Sequence, residues 1–115
     1  MLDWDSYREE ILARTTELAR LTPGTIRGYR ELGSAGSQKD LLGAKTRELI
    51  ALAVAVTRQC DGCIVNHVDA AIKHGATREE VAEALGVAIA VNAGAALMFS
   101  ARVMDAYAAK TEPDK

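Results

Sequence analysis

The chain has two cysteines, Cys60 and Cys63, three residues apart, and a histidine, His67, four residues after the second. The pattern predicts a helix from near Cys60 to His74, so Cys63 and His67 should share a face and the imidazole should reach the thiol. Cys60 should lie at the helix start, where unpaired backbone N–H groups and the helix dipole favour a thiolate. These residue types and their spacing point to sulfur chemistry.

Other uses of the cysteine pair fit the sequence less well. Zinc could be bound by Cys60, Cys63 and His67, but a structural site would lack its fourth ligand. His74 lies about 10 Å farther along the helix by the helix rise, too far to share a metal with Cys60. A thioredoxin-like pair needs a βαβ setting, and haem attachment needs a histidine where Ile64 stands. Inert, buried cysteines are a further alternative. Redox chemistry fits better, and we expect neither a metal nor a cofactor.

The composition predicts one domain and argues against several classes of partner. With 115 residues the chain can hold its own core, and we expect a single domain over residues 1–115. Aromatic residues make up only 4% of the chain, and small apolar side chains suit closely packed helices. A net charge of −2 offers no electrostatic surface for nucleic acid, and no basic cluster would attract anionic lipid.

The N-terminal sequence and one uncharged stretch bear on location. The first five residues are acidic and lack the basic and then apolar order of a secretory signal, so we expect a cytoplasmic protein. There, a close cysteine pair is more often catalytic, redox-active or metal-binding than permanently oxidised. Residues 84–101 carry no charge, nearly a membrane-spanning length. Their glycine, asparagine, serine and alanine residues favour a pair of buried helices over a membrane helix.

Apolar periodicity and capping residues predict an all-α bundle of about six helices, with the Cys-x-x-Cys motif at the N-terminus of a central helix. No strand pattern of useful length is found, and no internal repeat. The first helix should be capped by Asp3 or Ser6. A flexible break is expected at residues 33–37 and a bend at residues 92–94. The six helices should end at about residues 21, 32, 58, 74, 91 and 109.

A fourth residue, Glu48, lies twelve residues before Cys60. The set Glu48, Cys60, Cys63 and His67 resembles the Glu…Cys-x-x-Cys-x-x-x-His signature of the alkylhydroperoxidase D-like, or carboxymuconolactone decarboxylase-like, family. The sequences flanking these residues are also similar to that family, and the resemblance covers about residues 23–109, which it implies to be the core of the domain. It implies the all-α fold of the family.

The resemblance implies a thiol-dependent peroxidase, an oxidoreductase of peroxiredoxin type acting on hydroperoxides or small disulfides. Cys63 would attack the O–O bond and become a sulfenic acid, and Cys60 would condense with it to a disulfide. His67 would take the thiol proton, and Glu48 would orient or relay to His67. A thioredoxin-like or lipoyl-type protein would reset the pair by thiol exchange. Helix geometry alone favours Cys60 as the thiolate, whereas His67 and the resemblance favour Cys63.

Gly62 departs from the pattern, because some peroxidase members of the family carry a histidine between the two cysteines. Dithiol chemistry is unaffected by this departure. A decarboxylase acting on a small lactone acid would not need the cysteine pair, and no arginine or histidine cluster near Cys63 is evident for such a substrate. The remaining alternatives are a non-catalytic redox sensor and a zinc protein.

The resemblance also implies a homo-oligomer, with a trimer or hexamer favoured. The small, uncharged faces of the last two predicted helices would allow a helix of a second subunit to approach closely. Neither nucleic acid nor a membrane is expected as a partner.

Overall fold

The computed structural model describes residues 1–112, which form five α-helices and one short 3₁₀ helix, Gly36–Gln38, and no strand. The α-helices are α1 (Trp4–Leu21), α2 (Pro23–Ala35), α3 (Ala44–Thr57), α4 (Asp61–Lys73) and α5 (Arg78–Thr111). The predicted all-α bundle is confirmed, although its α-helices number five among these residues. The predicted domain limit at residue 115 lies outside the described residues, and the single domain stays a prediction.

Side-chain caps explain where the first and last helices begin. Asp3 caps α1 by accepting a hydrogen bond from the Ser6 N–H at 3.2 Å. At the start of α5, the Glu80 N–H donates to Thr77 Oγ1 at 3.1 Å and the Thr77 N–H donates to Glu80 Oε1 at 2.9 Å. This reciprocal capping box, predicted from the sequence, satisfies two N–H groups that the helix cannot pair.

Lys45 of α3 adds a tertiary contact to the same cap. Its Nζ lies 2.8 Å from Glu80 Oε2. The Lys45 ammonium, followed by the Thr77 backbone N–H, lowers the pKa of Glu80 to about 2. The charged carboxylate therefore ties the start of α5 to α3.

Helix α3 lies at the centre of the fold, packed against α4 and α5. Helix α1 lies against α4, and α2 follows α1. The buried residues come from the three central helices and are mostly small: Leu52, Ala55, Val65, Ala71 and Ala88. Small side chains let helix axes approach closely. The close packing of α3 against α4 therefore fixes the positions of the side chains that these two helices carry.

The predicted flexible break at residues 33–37 is wrong. Helix α2 continues to Ala35, and the 3₁₀ helix follows it directly. Ser34 Oγ donates to the Glu31 carbonyl at 3.1 Å, and Ser37 Oγ donates to the Ser34 carbonyl at 2.7 Å. In both bonds the serine hydroxyl pairs with the carbonyl three residues earlier, so the backbone keeps its helical geometry. The chain leaves helical geometry afterwards, at Asp40 (φ +49°) and Gly43 (φ +82°).

The predicted bend at residues 92–94 is also wrong, because α5 is one continuous helix of 34 residues, about 51 Å long. Asn92 stays helical and donates from Nδ2 to the Ala88 carbonyl and to Thr57 Oγ1, both at 2.8 Å. The alanine-rich sequence favours propagation of the helix through Gly94.

The second half of α5 is exposed in the single chain. Beyond Asn92, every described residue is exposed except Gly94 and Ala108, which are half-buried. The radius of gyration is 19.6 Å, against about 13 Å for a compact domain of this length. Within residues 84–101 only Ala88 is buried, so the predicted burial of this stretch does not occur within one chain. By length and composition, α5 is the one described helix apolar enough to span a membrane, with a mean hydropathy of 1.8 over a window of 18 residues.

Candidate redox site

The two cysteines occupy the start of α4, where the sequence places them. Cys60 is the N-cap, Cys63 lies in the first turn, and a disulfide joins them with their Cα atoms 5.3 Å apart. Cys60 Sγ accepts a hydrogen bond from the Cys63 N–H at 3.2 Å. The cap is thus a sulfur atom in the position usually held by a serine or aspartate oxygen, and both sulfurs lie at the positive end of the helix dipole.

A tight turn between α3 and α4 fixes Cys60. The turn passes through Gln59, whose φ of +53° is left-handed. The Cys60 N–H then donates to the carbonyl of buried Ala55 at 3.1 Å, and the Cys60 carbonyl accepts from Ile64 at 2.9 Å. Cys60 is therefore held by backbone bonds to both helices.

His67 and Glu48 meet across the α3–α4 contact. Nδ1 of His67 lies 2.6 Å from Oε2 of Glu48, and their side chains are 38% and 20% exposed. Because a carboxylate only accepts hydrogen bonds, Nδ1 carries the proton of this pair and Nε2 of a neutral ring is left to accept one.

The disulfide and His67 open onto one groove of about 430 Å³ between α1, α2 and the start of α4. Its lining includes one face of α1, part of α2 and the first two turns of α4: Arg8, Ile11, Leu12, Thr15, Thr16, Ile26, Tyr29, Arg30, Cys60, Gly62, Cys63, Val65, Asn66 and His67. Three of the four predicted site residues line this groove. The fourth, Glu48, reaches it through His67.

Helix α1 is a part of the site that the sequence did not reveal. Arg8 donates from Nε to Asn66 Oδ1 at 3.3 Å, and its Nη1 lies 3.2 Å from Asp69 Oδ2, so it joins α1 to α4. Ile11 lies over Gly62, where a Cβ would come within 3.8 Å of Ile11 Cγ2. The helical spacing of Arg8 and Ile11 could have placed them on one face, but not that face against α4.

The expectation that no arginine or histidine cluster lies near Cys63 is wrong. Arg8 and Arg30 line the same groove as Cys63 and His67. Arg8 and Arg30 lie 59 and 37 residues before His67 in the chain, beyond the reach of any local pattern. They share the groove because α1 packs against α4 and α2 packs against α1.

No described residues form a group of three or more histidine, cysteine, aspartate or glutamate side chains able to hold a metal ion. His74 is the C-cap of α4, at the opposite end of that helix from the disulfide.

The sequence model of the carboxymuconolactone decarboxylase family matches residues 23–106, most of the chain. The chain belongs to this family. The resemblance found from Glu48, the two cysteines and His67 is thereby confirmed at the level of the family.

Related proteins share most of the chain length. A protein of Haemophilus influenzae, described as uncharacterized, is 45% identical over 105 residues, which are 91% of this chain and 93% of the relative. An uncharacterized protein of Cupriavidus necator is 33% identical over 83% of this chain and 84% of its own. The crystal structure of an apo family member from Legionella pneumophila superposes with a TM-score of 0.73 at 35% identity, covering 90% of this chain and 93% of that one. The family and the fold are thus shown independently by sequence and by structure.

Proposed function

We propose that this family member is a thiol-dependent oxidoreductase that reduces hydroperoxides through Cys60 and Cys63. One observation carries the proposal: a disulfide at a helix N-terminus opens onto the same groove as a histidine that is held by a carboxylate. A thiol nucleophile needs a base or a dipole beside it, and this arrangement provides both.

In the reduced protein, His67 Nε2 takes the proton of the Cys63 thiol, and Glu48 stabilises the resulting imidazolium through Nδ1–H. The thiolate attacks the hydroperoxide, so that an S–O bond forms and the O–O bond breaks. The leaving alkoxide takes the proton from His67 and departs as an alcohol. Cys63 is oxidised to a sulfenic acid while the peroxide is reduced.

Cys60 completes the oxidative half of the cycle. Its sulfur attacks the Cys63 sulfenic acid, the S–S bond forms, and the hydroxyl group leaves as water with the Cys60 proton. A partner dithiol then restores both cysteines by exchange and is itself oxidised to a disulfide. The N-cap position favours Cys60 as the leaving thiolate in that exchange, so the helix dipole and His67 act on different cysteines in different half-reactions.

A thiol titration tests this proposal. One equivalent of cumene hydroperoxide should remove two thiols per reduced chain as an intramolecular disulfide. Cys60→Ser should accumulate a trappable sulfenic acid at Cys63, whereas Cys63→Ser should keep its remaining thiol. Unchanged thiols in the parent protein would refute the peroxidase. Disulfide formation that is reversible but without catalytic turnover would indicate a redox sensor instead.

A lactone decarboxylase is a second candidate, favoured by one specific observation. Arg8, Arg30 and His67 line the groove, and cationic side chains suit the carboxylate of a small lactone acid. Such an enzyme would keep its decarboxylase activity when Cys60 and Cys63 are both replaced by serine. If the parent protein decarboxylates a lactone and the double variant does not, a decarboxylase mechanism independent of the cysteines is rejected.

We also propose that the protein is a homo-oligomer in which the exposed half of α5 packs against other copies. Leu97, Met98 and Phe99 are 65–76% exposed in the single chain, and Val103, Met104 and Tyr107 are 67–68% exposed. Contiguous apolar surface on this scale marks an interaction site in a soluble protein. Within the family resemblance, a trimer or hexamer is favoured.

The proposed partners and location follow from the same chemistry. A disulfide that is used catalytically must be reduced again, so a thioredoxin-like or lipoyl-type protein is the proposed electron donor. Reducing thiol systems of that kind operate in the cytoplasm, where we place the protein.

A further inference from the structure

Arg30 of α2 lines the groove that holds Cys63 and His67, but neither the family signature nor the proton transfer uses it. We propose that Arg30 binds the carboxylate of the substrate, which makes amphipathic, anionic organic hydroperoxides the preferred substrates. This inference rests on the proposed peroxidase function and adds a substrate class to it.

The charge around the groove supports an anionic ligand. Among its lining residues in the described chain, Arg8, Arg30 and His67 are the groups able to carry a positive charge, and no carboxylate is present. The positive charge is a local property of the groove, because the whole chain has a net charge of −2. A cationic groove on an acidic protein raises the local concentration of anions and selects against neutral competitors.

The two arginines differ in their partners. Arg8 is engaged by Asp69 at 3.2 Å and by Asn66 at 3.3 Å, so its charge is largely compensated within the fold. Arg30 makes no hydrogen bond or ion pair with any described residue. Its guanidinium keeps all its donors for a ligand, and a carboxylate can take two of them at once.

The remaining wall of the groove is suited to an apolar chain. Ile11 and Leu12 of α1 face the groove together with Ile26 and Tyr29 of α2, and Leu12 is 64% exposed. At about 430 Å³ the volume lies within the range of about 300–1,000 Å³ for small-molecule sites. A ligand with an apolar body and one carboxylate would cover these side chains and pair with Arg30.

A matched pair of substrates tests the inference: linoleic acid hydroperoxide and its methyl ester, in which one methyl group replaces the negative charge. The parent protein should show a kcat/KM for the acid about tenfold or more above that for the ester, because a charge-assisted bond is strong. Arg30→Gln should lower kcat/KM for the acid about tenfold or more and so abolish this preference. Arg30→Lys should restore part of it, and added salt should weaken it in the parent.

Arg27→Gln is the matched control. Arg27 lies three residues earlier on α2 and does not line this groove, so the variant removes the same charge from the same helix and should keep the preference for the acid. Equal rates with acid and ester in the parent would overturn the inference. A preference that survives in Arg30→Gln, or that disappears equally in Arg27→Gln, would also overturn it.

A binding measurement decides the inference even if the protein reduces no peroxide. Calorimetric titration of the disulfide form with decanoate and with methyl decanoate should show tighter binding of the acid, and Arg30→Gln should weaken decanoate binding about tenfold or more. Failure of turnover with every hydroperoxide would reject the proposed function alone. Failure of decanoate to bind, or binding that Arg30→Gln does not weaken, would reject the role of Arg30.

Discussion

Oε2 of Glu48 lies 2.6 Å from Nδ1 of His67, although nineteen residues separate them in the sequence. The contact joins α3 to α4, and Leu52 and Val65 of the same two helices are buried. Because both side chains are partly shielded from water, the bond is stronger than an exposed one and fixes the imidazole ring. The central packing of the fold thus sets the orientation of the proposed base.

Replacement of Glu48 by glutamine should slow the reaction of Cys63 with peroxide without unfolding the protein. The amide can still accept from Nδ1–H, but it cannot stabilise the imidazolium that forms when His67 takes the thiol proton. We expect the rate of thiol loss at pH 7 to fall about tenfold to a thousandfold. Stopped-flow oxidation with one equivalent of hydroperoxide measures this rate.

Glu79→Gln is the control for that experiment, because Glu79 is an exposed acid in the first turn of α5 and lies outside the groove. It should react like the parent protein. An unchanged rate in Glu48→Gln would mean that His67 does not depend on the carboxylate, and a rate that falls equally in both variants would point to net charge.

Two glycines near the ends of α4 should respond to alanine in opposite ways. Gly62 lies in the first turn of α4, and an added Cβ would meet Ile11 at an ordinary contact distance of 3.8 Å. Gly62→Ala should therefore raise the free energy of unfolding by about 0.5–1 kcal/mol. Gly75 has a φ of +82°, which disfavours a side chain. Gly75→Ala should therefore lower the free energy of unfolding by about 1–2 kcal/mol. Urea denaturation of both variants measures the difference, and a shift of the same sign in both would contradict the local geometry.

Local signals in the sequence predicted much of this fold. The capping box of Thr77 and Glu80, the proline that opens α2 and the glycine that follows α4 all lie where the pattern places them. Each depends on hydrogen bonds or dihedral angles within a few residues, which sequence spacing records. The two predicted interruptions failed because glycine and serine are compatible with helix when their neighbours or their own side chains complete the hydrogen bonds.

The sequence was less informative about the surroundings of the disulfide. The Glu48, Cys60, Cys63 and His67 set could be found because it is a spaced signature. Arg30 could not be found in this way, since its place in the groove depends on how α2 packs against α1 and α1 against α4. Tertiary packing of helices follows from whole apolar faces and leaves no short pattern in the chain.

The acid stability of the fold should depend on Glu80. The pKa of Glu80 is lowered to about 2 by the Lys45 ammonium and the Thr77 N–H, below about 4.3 in an unfolded chain. A carboxylate with a lowered pKa in the folded state contributes stability that is fully present above the unfolded value and is lost as the pH falls through the folded value. Glu80→Gln should therefore be less stable than the parent at pH 7, and the difference should shrink between pH 4.3 and 2.

Urea midpoints measured from pH 7 to pH 2 test this dependence, with Glu79→Gln as the control. Glu79 is in the same turn, but no ion pair holds it in the described structure. Its substitution should leave the pH profile unchanged. A difference between Glu80→Gln and the parent that stays constant over the whole pH range would show that the capping geometry matters and the charge does not.

The exposed half of α5 should determine the state of association. Phe99 and Val103 recur at a spacing of four, which places them on one helix face, and they are 65% and 67% exposed. By light scattering, the parent protein should have a mass several times that of the 12.3 kDa chain. The double variant Phe99→Glu/Val103→Glu should shift this mass towards that of a single chain, because buried carboxylates are costly at an interface.

Leu41→Glu is the control, since Leu41 is 86% exposed in the loop before α3 and should not affect association. A parent protein of 12.3 kDa in plain buffer would reject self-association. A parent protein that stays with the membrane fraction until detergent is added would instead assign this face of α5 to lipid.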